Sequence, residues 1–118
     1  MKNLPFYRRL GFAATGLSTA LQSENSFRVH VLAALAVLGV LVWRRPAPMW
    51  WAIILVTLMV VLAAELINTA VEHLADHLHP DQHPRIKVVK DCAAAAVLIA
   101  SIGAIGVAAA FIYDQFLM

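Results

Sequence analysis

Apolar and polar positions divide this chain into four blocks. Residues 6–22 interleave apolar side chains with Arg8, Arg9, Gln22 and two glycines, Gly11 and Gly16, a pattern that predicts a helix lying on a membrane surface. The polar break Ser23-Glu24-Asn25-Ser26 follows, and then an apolar segment over 27–43. That segment is short for a hydrocarbon core of about 30 Å, but Phe27 and the aliphatic stem of Arg28 extend it. Arg44-Arg45-Pro46-Ala47-Pro48 predicts a tight turn, because proline cannot continue a helix. A second span is expected over 49–74 and a third over 89–113, separated by a polar, histidine-rich loop over 75–88 that holds Pro80 and Pro84. From Cys92 to Tyr113 no charge interrupts the third span. Trp43, Trp50 and Trp51 gather around the turn like an interfacial aromatic belt. Ala93 to Ala96, Ala100, Gly103, Ala104 and Ala108 offer small faces for close helix packing. The expected fold is a single all-α integral-membrane domain over 1–118: one amphipathic surface helix and three transmembrane helices.

Composition agrees with the pattern. The 118 residues are 62% hydrophobic and 14% charged, where a soluble domain is roughly a quarter charged. The isoelectric point near 9.0 rests on only nine Lys and Arg, and no basic run resembles a nucleic-acid patch, so no nucleic-acid partner is expected. The basic residues instead set topology. Lys2, Arg8, Arg9 and Arg28 precede the first span, and Arg85, Lys87 and Lys90 lie between the second and third; the other side carries Arg44 and Arg45. The positive-inside rule therefore puts the N-terminus and the 75–91 region in the cytoplasm and the C-terminus in the periplasm of a bacterial inner membrane. The N-terminus leads into an amphipathic segment and shows no signal peptide. Cys92 is the single cysteine, which excludes an intrachain disulfide; at the head of an alanine-rich helix it reads as a small packing residue.

The candidate chemistry begins at Glu65, which ends the uncharged stretch from Pro46 through Ala64. Ionisable residues at that depth mark functional sites. Asn68, Glu72 and Asp76 follow at i+3, i+7 and i+11; at roughly 100° per residue they fall near 300°, 340° and 20° relative to Glu65, one narrow polar stripe. With Glu24, Lys90 and Asp91, these groups gather at the cytoplasmic face, a set suited to Mg²⁺ and phosphate. Glu24 and Glu72 are candidate metal ligands, Lys90 a phosphate partner, and Glu65 a base for a lipid alcohol still embedded in the bilayer. There is no P-loop and no dinucleotide fingerprint, so a nucleotide must be held by metal and side-chain contacts. Plainer roles exist. Glu24 alone suits a helix start, Arg44-Arg45 an interfacial anchor, and Asp76 the solvated end of a helix. His73 and His77, four apart, have the spacing of a zinc pair but lack cysteine support.

Glu65-Leu66-Ile67-Asn68-Thr69-Ala70-Val71-Glu72, followed by Lys90-Asp91-Cys92-Ala93 through Val97-Leu98-Ile99-Ala100, resembles the small integral-membrane diacylglycerol kinases of bacteria, a family that includes undecaprenol kinases. Gly11-x-x-x-x-Gly16-Leu17 and Glu24-x-x-Phe27-Arg28 extend the resemblance over most of the chain. The resemblance implies a homotrimer with active sites between neighbouring subunits. It implies ATP and Mg²⁺ as partners and a membrane lipid alcohol as substrate, diacylglycerol first and undecaprenol as the alternative. It places the catalytic base on Glu65 and the metal ligands on Glu24 and Glu72. The other polar site positions fall on Asn68, Lys90 and Asp91, and a nucleotide-contacting loop on Asp81, Gln82 and His83. The chain departs from the enterobacterial branch at three places. Pro5 stands where a substrate-contacting arginine is expected, leaving Arg8 or Arg9 as substitutes; Phe12 stands for a tyrosine, and His30 for an acidic residue. Phe-Arg-x-His is closer to the undecaprenol kinases. Two further classes explain less of the pattern: a proton-coupled transporter using Glu65 as its carrier, and a purely structural membrane subunit.

Overall fold

A computed structural model describes residues 2–118 and is helical throughout, with no strand among the described residues. Helix α1 spans Phe6–Ser23, α2 Asn25–Arg44, α3 Pro48–Leu78 and α4 Pro84–Ile112, and a short π-helical turn covers Tyr113–Leu117. Three of these elements, α2, α3 and α4 with its π turn, are long and apolar enough to cross a membrane. The protein is an all-α membrane protein.

Local chemistry sets each boundary. On α1, the hydroxyls of Thr15, Thr19 and Ser23 donate to the carbonyls of Gly11, Thr15 and Thr19, so one ridge of polar side chains is satisfied by its own helix. Glu24 adopts an extended conformation and separates α1 from α2. The Arg28 guanidinium folds back to donate to the carbonyls of Leu21 and Gln22, a cation on the negative end of α1. At the far end of α2, Arg45 takes the left-handed conformation at φ 51°, and Pro48 opens α3 at a position where its missing N–H is no loss.

The polar segment expected as a loop is mostly helix. α3 continues through Ala75–Leu78, and α4 starts at Pro84, leaving only 79–83 outside helices. Pro84 occupies the first turn of α4, and His83 caps it by accepting from the Arg85 N–H at 3.1 Å.

α3 packs antiparallel along α4 more extensively than any other helix pair, and α2 packs on another side of α3. The covered positions follow a 3-4 spacing: 54, 58, 61, 65, 68, 72 and 75 on α3, and 86, 90, 93, 97, 100, 104, 107 and 111 on α4. Such a spacing is the pattern of a closely packed helix pair. The polar stripe of α3 is the C-terminal continuation of its packing face. At the other end a small core joins Leu41, Ile54 and Phe111. It is closed by Trp50, which packs edge-on against Phe111 and donates from Nε1 to Asp114 at 2.8 Å. Arg44 is more than an anchor: it donates to the Gln115 carbonyl at 2.6 Å and lies 4.5 Å over the Phe116 ring.

Candidate active site in the C-terminal half of α3

Glu65 is the one buried charged residue among the described residues, at 5% exposure. Its neighbour is His30 of α2, whose Nδ1 lies 2.7 Å from Glu65 Oε1. The distance is that of an ion pair, yet the ring nitrogen is out of line for a hydrogen bond and has no other partner. One turn along α3, Asn68 Oδ1 is buried and also unpartnered. Glu72, a further turn out, is half-buried and makes no side-chain hydrogen bond or ion pair among the described residues. Beside it, His73 Nε2 meets Glu24 Oε1 at 3.2 Å, which brings the α1–α2 junction onto α3.

Lys90 pairs with Asp76 across the helix pair. Asp91 turns instead to Lys87 on its own helix, at 2.7 Å, with both groups exposed. The hydrogen bond and then the charge of Asp91 raise the Lys87 pKa above its ordinary value. Asp81, Gln82 and His83 share a recess of about 580 Å³ with Lys87 and Lys90. The loop is braced there by His79 Nδ1 against the Asp81 carbonyl at 3.0 Å and by the His79 and His83 rings, 4.9 Å apart. Arg8 and Arg9 stand exposed on α1 and make no side-chain contact with these groups.

The structure therefore gathers Glu65 with His30, Glu24 with α3 near Glu72, and the loop residues with Lys90. It leaves Arg8, Arg9 and Asp91 apart from them. His30 is not among the site residues expected from the sequence; its departure from the enterobacterial pattern is the signal that marks it.

No three potential metal ligands converge among the described residues. The available donors are carboxylate and amide oxygens: Glu24, the unpartnered Glu72 and the orphaned Asn68 Oδ1. Such a sparse oxygen set fits Mg²⁺, which keeps waters and substrate phosphates as its remaining ligands, better than a closed protein cage.

A second cavity, about 630 Å³ and almost wholly apolar, runs between α2, α3 and α4. His30 lines one end and Trp43 and Phe116 the other. From 30 to 43 a helix rises about 20 Å. The groove is thus a long apolar furrow that ends at His30, beside the buried carboxylate.

The sequence profile of prokaryotic diacylglycerol kinase matches residues 11–112, which include every polar group of the site except Arg8 and Arg9. The chain belongs to the prokaryotic diacylglycerol kinase family. A diacylglycerol kinase of Synechocystis sp. is 34% identical over 95 residues, 80% of this chain and 54% of that protein. An undecaprenol kinase of Bacillus subtilis is 35% identical over 96 residues, 80% of this chain and 76% of that protein. A diacylglycerol kinase of Escherichia coli is 30% identical over 95 residues, 80% of this chain and 78% of that protein. The chain thus spans about half of the first relative and about three-quarters of the others. Membership in the prokaryotic diacylglycerol kinase family supports reading the chain as a lipid kinase.

Proposed function

We propose that this protein transfers the γ-phosphoryl group of MgATP to the hydroxyl of diacylglycerol, giving phosphatidate, at the cytoplasmic face of a bacterial inner membrane. The observation that carries this reading is the buried Glu65 carboxylate at the end of a long apolar groove. A lipid enters sideways from the bilayer, its tail in the groove and its hydroxyl at Glu65. Glu65 takes the hydroxyl proton as the new oxygen–phosphorus bond forms and the bond to ADP breaks in line. Asn68 orients the hydroxyl with its free Oδ1. Lys90, Asp91 and the loop residues Asp81, Gln82 and His83 hold the nucleotide, and Arg8 or Arg9 meets the polar part of the lipid. Glu24 and Glu72 would hold Mg²⁺, which neutralises phosphate charge when bound; for that, Glu24 must give up His73. The chain works as a homotrimer, a reading supported by the open helix faces: beyond the local backbone of α4, a Cβ at Gly103 or Gly106 would meet nothing within 4 Å.

A second reading is favoured by His30 and by the Bacillus relative: the alcohol is undecaprenol. One experiment separates them. Protein purified in detergent is given labelled MgATP and either lipid, with Glu65→Gln as control. The expected result is labelled phosphatidate, with Glu65→Gln slower by about a hundredfold or more, the scale of a lost general base. Preference for undecaprenol moves the enzyme to carrier-lipid supply. Absence of Glu65-dependent product on both lipids removes the kinase reading.

A further inference from the structure

The proposed transfer leaves a proton on Glu65, in a position where few groups can take it onward. On its own helix the next polar side chains are Asn68, Thr69 and Glu72, of which only Glu72 titrates. α4 carries no titratable residue between Cys92 and Tyr113. The Lys90–Asp76 pair at one end and the Phe111–Trp50 contact at the other set Glu65 against this uncharged stretch. The α1–α2 junction presents Glu24 to α3 at His73, about two turns away. The remaining face is α2, and it brings His30. The imidazole Nδ1 is 2.7 Å from Glu65 Oε1, with the Glu65 side chain 7% and the His30 side chain 30% exposed. Among the described residues, His30 is therefore the one titratable group that both touches the closed carboxylate and reaches the open side of the site, at the mouth of the apolar groove.

We propose that His30 is a positioning residue that acts through Glu65, taking onward the proton that the carboxylate accepts. The proposal rests on the lipid-kinase reading. As the lipid oxygen bonds to the γ-phosphorus, the bond from that phosphorus to the bridging oxygen of ADP breaks and its electron pair leaves with ADP. The hydroxyl proton passes to Glu65, and the carboxyl O–H so formed donates to the bare Nδ1 of a neutral imidazole and passes its proton to it, giving an imidazolium while the carboxylate is restored. The imidazolium returns a proton to water on its exposed side. The present contact, short but out of line, becomes a directed hydrogen bond by rotation of the ring.

The test is a double-mutant cycle on the full-length protein in lipid-containing micelles: wild type, His30→Gln, Glu65→Gln and the double variant, with a pH series for each active form. His30→Gln is expected to melt within a few degrees of wild type, to lower kcat by about tenfold or more with lipid KM nearly unchanged, and to alter the shape of the kcat–pH profile. Adding His30→Gln to Glu65→Gln is expected to remove no further activity, since His30 acts only through Glu65. Free imidazole is expected to restore part of the rate of His30→Ala. Equal fold-losses of His30→Gln in both backgrounds overturn the proposal, as does a pH profile that superimposes on wild type. A wild type that phosphorylates neither lipid removes the kinase reading itself and this proposal with it. An active wild type with an additive cycle removes the proposal alone.

Discussion

Glu65 and Glu72 lie seven residues apart on the same seam of α3, yet one is closed over against His30 and the other is open and unpartnered. Enclosing a charge removes several kcal/mol of hydration that only a well-made partner returns. If Glu65 is the base, it is kept for chemistry at the expense of stability. Glu65→Gln is expected to melt at or above the wild-type temperature in the same detergent while losing turnover; a melting point several degrees lower would mark Glu65 as a structural residue. Glu72 makes the opposite prediction. If it holds Mg²⁺, Glu72→Gln loses most activity at low Mg²⁺ and recovers part of it at high Mg²⁺, whereas one fractional loss across the titration removes it from the metal. The periodicity of α3 is enough to make Glu65, Asn68 and Glu72 legible in the sequence. It cannot show that His30 meets Glu65, since that contact depends on how α2 lies against α3. Nor can it show that Asp76 is taken up by Lys90 rather than joining the site.

Helix ends are less legible than helix faces. The run from Ala75 to Leu78 reads as loop by composition, but contains no glycine or proline, and the true punctuation comes at Pro80 and Pro84. A helix that leaves the membrane for water loses its apolar pattern without losing its hydrogen bonds, so polarity there marks the membrane surface and not the end of α3. At the opposite end, the expected anchor Arg44 ties two elements together. Its guanidinium caps the Gln115 carbonyl and covers Phe116, while Trp50 holds Asp114. A cation at a helix terminus combined with a cation–π contact contributes about 1–2 kcal/mol. Arg44→Ala is expected to lower the melting temperature measurably and to leave transfer activity at low temperature within about twofold of wild type. Arg44→Lys keeps the charge without the planar fork and is expected to fall between them. An unchanged melting curve for Arg44→Ala would show that the contact adds nothing to stability.

The whole chain is extended: its radius of gyration is 17.1 Å, against about 13.5 Å for a compact domain of this length. Among the described residues only nine are buried, and large apolar side chains cover the outer faces of α2, α3 and α4. Such a body is stable where lipid or further copies of itself replace water on those faces. Its orientation then decides whether the site can work, because MgATP is available on one side of the membrane. Glu24, Glu65, Glu72 and Lys90 all lie at the end that carries seven of the nine basic residues, and Arg44 and Arg45 lie at the other. If those seven residues fix the cytoplasmic side, the C-terminus faces the periplasm. Cys92 is the sole cysteine and is exposed, so a Cys92→Ser background gives a clean assay. A cysteine placed at Asn3 or at Met118 is offered to a membrane-impermeant maleimide in cells with a permeabilised outer membrane. Label is expected at Met118→Cys alone, with Asn3→Cys reacting only after the inner membrane is opened. The reverse pattern would put Glu65 and its neighbours on the side without ATP and would end the kinase reading, whatever the similarity of the sequence.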